Sequence, residues 1–306
     1  MIDPSTSLRT SFVCIGDATQ DNFFFIDEAT VECDLNRENC VMGLKYGGKV
    51  PVGKYAVNIG GNAANVACGL AKLGAGTALL TTFGDDDRGV WIKKELLKHG
   101  VNLDLCPTER ERESNISTVI VFKGERTILT YHGRGADLEE IPESEWIYLT
   151  SSSGQGSEKL YEKVLAYKEK NSAVKLAFNP GTEDLRRGKE FLKPILGITD
   201  ILIVNKEEGE MLGGVEGLGI KVVAVTDGPN GAMVYDGGQK YELPARTKNA
   251  SGTAGAGDAF SSGFLGALFF GKDVQTALSW GIKNSGSVVE KVGSTAGLLS
   301  KEEIEA

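Results

Sequence analysis

The sequence predicts an α/β protein: a mainly parallel central sheet with helices on both faces and a small antiparallel sheet added as a lid. Three observations carry that prediction. From Thr77 onward, short apolar runs suited to buried strands alternate with stretches of helical period, the pattern of successive βα units. Two β-rich stretches without helical period, approximately 22–59 and 115–133, interrupt the alternation. No linker is long or polar enough to divide the chain, so residues 1–306 are expected to form one domain with those two lid segments inserted in it.

Taken in order, Ser11–Ile15 is a short apolar run ending at Gly16 and reads as a buried strand. Asp17, Thr19 and Asp21 follow just beyond its carboxyl end, where open α/β sheets bind ligands. In the first lid segment, Phe23–Ile26, Met42–Tyr46 and Lys54–Asn58 are β-prone pieces between Gly- and Pro-containing turns. Gly48–Lys54 imitates most of a phosphate loop, but Tyr55 stands where the metal-binding hydroxyl belongs, and we reject it. Gly60–Gly74 is a glycine turn running into an amphipathic helix. Asn62 and Asn65 lie in its first turn, where amides reach ligand hydroxyls; the plainer alternative makes Asn62 an N-cap.

Thr77–Phe83 reads as a strand, Arg88–His99 as a helix and Val101–Leu105 as a strand. Ser117–Tyr131 is a hairpin turning at K-G-E. Strands follow at Trp146–Leu149, Val174–Asn179, Ile201–Val204 and Val222–Val225, with helices at Ser157–Asn171, Gly188–Leu196 and Lys206–Leu212. The hairpin Ala232–Leu243 and two long helices, Asp258–Phe270 and Asp273–Lys291, complete the pattern.

Composition narrows the function. With 33 Lys and Arg against 42 Asp and Glu, the net charge is −9 and no basic run occurs. Nucleic-acid and anionic-membrane binding therefore lack their electrostatic footprint. No stretch approaches the roughly 18 apolar residues of a membrane span, and the first ten residues carry no signal-peptide core. The five cysteines (Cys14, Cys33, Cys40, Cys68, Cys106) are odd in number and form no C-x-x-C, so free thiols and a cytoplasmic location are expected. The sequons at Asn115 and Asn249 are then chance matches, and two histidines, His99 and His132, make a structural zinc site improbable.

Chemistry concentrates in Gly252–Phe264, G-T-A-G-A-G-D-A-F-S-S-G-F. Gly255, Ala256 and Gly257 lead into a helix whose first N–H groups lack intrahelical partners and whose dipole favours an anion. Asp258 stands at the mouth of that site, and a carboxylate beside a phosphate cradle suggests phosphoryl transfer to a hydroxyl. Asn205 ends a strand with Glu208 three residues on, a pair suited either to ordering the water shell of Mg²⁺ or to a helix capping box. Val222–Ala232 (V-V-A-V-T-D-G-P-N-G-A) runs a strand into a glycine turn.

In this order, G-x-x-x-x-D, G-G-N-A-A-N, N-x-x-E, V-T-D-G-x-x-G and G-A-G-D, the chain closely resembles the ribokinase/PfkB family of carbohydrate kinases from Phe12 to Leu299. The resemblance implies a ribokinase-like three-layer αβα sandwich with a β-sheet lid, using ATP and Mg²⁺. It makes Asp258 the general base and Gly255, Ala256 and Gly257 the anion hole. Asn205 and Glu208 become the organisers of Mg²⁺ through water, and Thr226, Gly228, Gly231 and Asn284 nucleotide contacts, although Asn284, on a helix one turn before Val288, reads by itself equally as routine helix packing. Asp21, Gly60, Gly61 and Asn65 match sugar contacts, with Asn62 beside them. Cation-activated relatives carry Asp six residues before the base; here it is Gly252, so K⁺ dependence is not expected. The expected reaction is phosphorylation of a primary hydroxyl of a small sugar such as ribose or fructose. A nucleoside of the adenosine type is the alternative, for which Phe23–Phe25 offer an aromatic surface. A non-catalytic sugar- or nucleotide-binding regulator is the reading from another class, and Asp258 argues against it. Exposed lid edges invite a homodimer.

Overall fold

The structure, a computed structural model, describes residues 10–34, 40–133, 140–150, 152, 157–246 and 254–306. Its eight-stranded sheet runs in the order Gln239–Leu243, Ala232–Asp236, Val222–Thr226, Ile201–Asn205, Lys175–Asn179, Trp146–Thr150, Phe12–Ile15, Thr77–Leu80. The last six of these are parallel, and the Ala232–Leu243 hairpin closes one edge antiparallel. Because successive strand residues face opposite sides, Phe12, Cys14 and Tyr148 enter one core with helices Asn62–Lys72, Ala256–Phe269 and Val274–Val288. Val13, Ile15, Ile147 and Leu149 enter a second core with helices Ser157–Lys170 and Lys189–Leu196. Two cores on one sheet make the expected three-layer sandwich.

The helices that bracket the anion motif pack closely. A Cβ on Gly69 would lie 2.2 Å from Ser262 Oγ, and one on Gly263 would lie 2.7 Å from the Trp280 carbonyl. Small residues here let the backbones of three helices approach, which fixes helix Ala256–Phe269 against its neighbours.

The lid is a four-stranded sheet ordered Glu125–Tyr131, Ile116–Phe122, Thr19–Ile26, Val52–Gly60. Its hairpin turns through Lys123 and Gly124, both at positive φ (51° and 87°), the geometry of a two-residue type I′ turn. Ile128, Leu129 and Tyr131 are exposed on the edge strand. The lid begins at Thr19, earlier than the expected 22, because T-Q-D-N continues the alternation; Asp21 therefore sits on a strand and not in a loop.

Several expectations are corrected. Val101–Leu105 forms only a single bridge, Ala78 to Asn102. The Asn102 carboxamide accepts from Asp104 N–H (2.7 Å) and bends the chain into a turn, the local alternative that Asn offers a strand. Thr77–Phe83 breaks after Leu80 and resumes at Phe83–Gly84, paired with Thr108–Glu109. Short helices at Thr182–Arg186 and Lys301–Glu305 were not anticipated. The cysteines are not all free thiols: Cys33 and Cys40 face each other across the hairpin Thr30–Cys33/Cys40–Gly43 and form a disulfide. Gly252 and the sequon at Asn249 lie outside the described residues. No helix among the described residues is long and apolar enough to cross a membrane.

Candidate active site

The parallel strands end in a row of polar residues. Asn205 pairs in register with Thr226, and Asn179 with Thr150, while Ile15, just before Gly16, lies between Leu149 and Leu80. The segments that follow Asn205, Thr226 and Ile15 thus emerge at the carboxyl edge of one sheet, where this architecture places ligands.

Gly255 is the N-cap of helix Ala256–Phe269 and takes a left-handed conformation (φ 77°, ψ 4°). A Cβ there would lie 2.3 Å from Ser294 Cβ and 2.6 Å from Ser294 Cα, so only glycine closes this turn. The helix accordingly starts two residues before the expected Asp258. Gly257 is exposed, and nothing lies within 4 Å of an added Cβ. The first N–H groups of a helix lack intrahelical partners, so this end offers donors to an anion.

Asp258 occupies the first turn, and Asn65 Nδ2 donates to its Oδ2 at 2.8 Å, joining two helices across the site. Burial pushes the Asp258 carboxyl up to about 7; the Asn65 hydrogen bond pulls it back, and the charges of Asp21 and Glu208 add to the rise. The charges of Asp21 and Glu208, from two other parts of the chain, are thus felt at Asp258. A carboxyl tuned near neutrality is suited to accept a proton in the transition state.

On strand Thr19–Ile26, Asp21 Oδ1 accepts from Thr19 Oγ1 at 2.8 Å, and burial raises its pKa. A Cβ on Gly60 would fall 2.2 Å from the Asp21 carboxylate, so this glycine leaves the space Asp21 fills. Gly61, at φ 89°, is the N-cap of Asn62–Lys72, and its added Cβ would strike the Asp17 carbonyl at 2.4 Å. Asn62 is thus an exposed first-turn residue and not the N-cap. Asn65 is buried, and its Oδ1 has no hydrogen-bond partner. The hydroxyls of Thr82 and Thr150, both beyond or at the carboxyl ends of strands, are likewise buried without partners.

Asn205 caps helix Lys206–Met211. Glu208 N–H donates to Asn205 Oδ1 (2.8 Å), and Asn205 N–H donates to Glu208 Oε2 (2.9 Å), so the capping box is real. Burial raises the pKa of Glu208, and its charge is felt at Asp258. The box fixes the Glu208 carboxylate at the start of its helix and leaves Oε1 free of the capping bond. Next to it, Thr226 leads into a turn in which Gly228 and Gly231 take positive φ (48° and 103°). A Cβ on Gly231 would lie 2.1 Å from the Leu243 carbonyl.

Asn284 departs from expectation. It is fully buried, its Nδ2 donates to the Ala259 carbonyl (2.8 Å) and Ser262 Oγ (3.1 Å), and its Oδ1 accepts from Leu299 N–H (2.9 Å). Those bonds occupy the carboxamide inside the protein, so it braces helix Ala256–Phe269 and does not face a nucleotide. Sequence reasoning also passed over Thr150 and Asn179, polar groups at the ends of apolar strands. Their position at a strand's carboxyl end is the signal that could have found them.

A family model described as pfkB family carbohydrate kinase matches residues 20–301. The chain is 30% identical over 237 residues to an ATP-dependent ribose-1-phosphate kinase of Halopiger xanaduensis, covering 72% of this chain and 77% of that protein. Among solved structures it is similar to the nucleoside kinase of Methanocaldococcus jannaschii, an archaeal member of the ribokinase family, with a TM-score of 0.79, 22% identity and 97% of both chains covered. It is also similar to Arabidopsis thaliana ribokinase complexed with ribose and ATP, with a TM-score of 0.77, 20% identity, and 97% of this chain and 98% of that one covered.

Proposed function

Since the chain belongs to the pfkB family of carbohydrate kinases, we propose that it transfers the γ-phosphoryl group of ATP to a primary hydroxyl of a small sugar, with Asp258 as general base. The observation that carries this reading is Asp258 in the first turn of a glycine-led helix, held by Asn65 at 2.8 Å, raised by burial, and within reach of the charges of Asp21 and Glu208. A carboxylate facing an anion site gains nothing from binding alone; it serves a reaction that removes a proton from an attacking hydroxyl.

The residues present fit the groups such a reaction needs. The N–H groups from Gly255 to Gly257 would hold transferring phosphoryl oxygens, and Thr226, Gly228 and Gly231 would support the nucleotide. Among the described residues no three His, Cys, Asp or Glu side chains gather into a metal cage. Glu208, with Asn205, suits a Mg²⁺ ion that keeps water and phosphate ligands. Such an ion, when bound, neutralises phosphate charge. The proposed acceptor side is Asp21, Asn62, Asn65 and the backbone at Gly60 and Gly61. The buried, unpartnered Asn65 Oδ1 favours a hydroxyl-rich acceptor, whose O–H groups supply the missing donor once that side chain adjusts.

Glu208→Gln is expected to raise the Mg²⁺ concentration needed for half-maximal rate several-fold with ATP saturating. An unchanged titration removes Glu208 from metal organisation.

One observation favours the nucleoside alternative: Phe23, buried, lies on the same face of its strand as Asp21. Phe24 and Phe25 are engaged elsewhere, Phe24 against Tyr55 (ring centroids 5.1 Å) and Phe25 beneath Lys54 (5.1 Å). A panel of sugars and nucleosides with coupled ADP detection separates the two. Ribose- or fructose-like acceptors are expected to turn over; adenosine turnover with neither sugar active would reverse the assignment.

A further inference from the structure

A serine in the segment after helix Val274–Val288 touches both halves of the proposed site. Strand Val52–Gly60 is an edge of the lid sheet, with Thr19–Ile26 beside it. Its residue Ile59 stands opposite Gln20, which turns its own N–H away, to the Asn115 carbonyl at 3.2 Å. In such a non-hydrogen-bonded antiparallel pair both residues point their peptide groups away from each other. The Ile59 carbonyl therefore faces off the sheet edge. Ile59 is also buried, and a buried carbonyl without a donor is costly. Ser294 supplies the donor: its Oγ donates to the Ile59 carbonyl at 3.0 Å, and Ser294 is itself buried. The same residue meets the anion turn. A Cβ on Gly255 would overlap Ser294 Cβ and Cα, so the glycine's own Cα packs directly on this serine. Gly293, at φ 101°, lies against the same lid strand, since a Cβ there would fall 2.4 Å from Asn58 Oδ1. Asn58 stands directly opposite Asp21, on one face of the lid sheet.

We propose that Ser294 is a positioning residue that couples acceptor binding to the anion turn: its hydroxyl holds the Ile59–Gly60 peptide while its backbone packs on Gly255. The two contacts belong to one residue, so no intermediate group is needed to carry the coupling. The Ile59 carbonyl belongs to the peptide that leads into Gly60, which leaves the space Asp21 fills, and on to Gly61, which starts the helix bearing Asn65. Gly255 starts the helix bearing Asp258. An acceptor that orders the Gly60–Gly61 backbone therefore also favours one placement of the Gly255 turn, and a phosphate held at that turn favours the acceptor in return. Such coupling is reciprocal by linkage. It also bears on rate, because a small misplacement of reacting groups carries a large penalty. The proposal rests on the acceptor and phosphoryl sides being those assigned above.

The test uses the full chain with Mg²⁺ and ribose, or the acceptor of the panel that turns over fastest. Binding of β,γ-imido-ATP, which does not transfer its phosphoryl group, is measured without and with saturating acceptor. In wild type the acceptor is expected to tighten the analogue at least about fivefold. Ser294→Ala keeps the packing on Gly255 and removes only the hydroxyl. In it that ratio is expected to fall to within about twofold of one, with the analogue alone binding as in wild type. Its kcat is expected to drop about tenfold. A merely structural hydrogen bond would lower the thermal midpoint and leave the ratio untouched. Gly293→Ala pushes the turn off the lid strand at a second point with the hydroxyl intact; it is expected to lower the ratio likewise, and decides alone should Ser294→Ala not fold. A wild-type ratio near one overturns the proposal, as does a variant that keeps the wild-type ratio or a kcat within about twofold of wild type. Turnover by wild type separates this failure from that of the wider reading. If wild type phosphorylates no acceptor in the panel, the reading of the site falls and takes the coupling with it. If wild type turns over and the variant's ratio is unchanged, only the coupling role of Ser294 falls.

Discussion

Asp258→Asn is expected to lower kcat by about 10²–10⁴, the range a general base contributes, while nucleotide affinity changes little. Asparagine keeps the volume and the contact with Asn65 but cannot accept the acceptor's proton. The same substitution carries a stability signature of opposite sign. The folded-state pKa of Asp258 is raised above its ordinary value to about 7, so folding disfavours the ionised form. The associated stability is fully present below the unfolded pKa near 4 and is lost as pH rises through about 7. Replacing the ionisable group should therefore raise the thermal midpoint relative to wild type at pH 8, with the gain shrinking toward pH 4. Loss of rate together with gain of stability at high pH marks a carboxylate held for chemistry; near-normal turnover in this variant excludes Asp258 as the base.

Gly255→Ala is expected to cost both stability and rate. Its backbone sits at φ 77°, and the added methyl would overlap Ser294, including its Cα. A side chain forced into that region costs roughly 1–3 kcal/mol. The more telling effect is on turnover: tilting the turn misaims the N–H groups proposed to meet the phosphoryl oxygens. Removing a single such donor typically costs about 10²–10³ in rate. Gly257→Ala is the contrast, since space around it is open. It should fold normally while its methyl intrudes where the phosphate is proposed to sit. Wild-type turnover in both variants would remove the anion hole from the account.

Much of this fold is legible because one-dimensional pattern and three-dimensional burial coincide. Runs such as Ile201–Val204 and Val222–Val225 are apolar throughout because both faces of their sheet are covered, and both form strands. Turn chemistry is equally readable where backbone conformation demands it, as at Lys123–Gly124 or Gly255. Legibility fails where a polar residue has two uses. Asn284 presents the same letter whether it binds a ligand or ties two helices together, and only its complete burial decides. Asn102 sits in a strand-like run, yet its carboxamide offers the backbone a turn instead. Asn205 and Glu208 read as either cap or metal organiser, and the geometry shows the capping box, leaving the metal role to experiment. Tyr148 and Asn179 disappear into apolar strands because their partners, Asn179 for the phenol and the Ile203 carbonyl for the carboxamide, lie distant in sequence. The Cys33–Cys40 pair escaped a count of cysteines, since cross-strand opposition depends on hairpin register.

The most direct test of the central claim is the pH dependence of kcat/KM for the acceptor, measured with Mg²⁺ and ATP saturating, in wild type and in Asp258→Asn. An ionised base held up by burial predicts a wild-type rate that climbs tenfold per pH unit on the acid side and levels off near pH 7, a limb missing from the variant's residual activity. A wild-type profile flat from pH 5 to 8, or the same acid limb persisting in Asp258→Asn, would contradict the assignment of Asp258 as the group that takes the acceptor's proton.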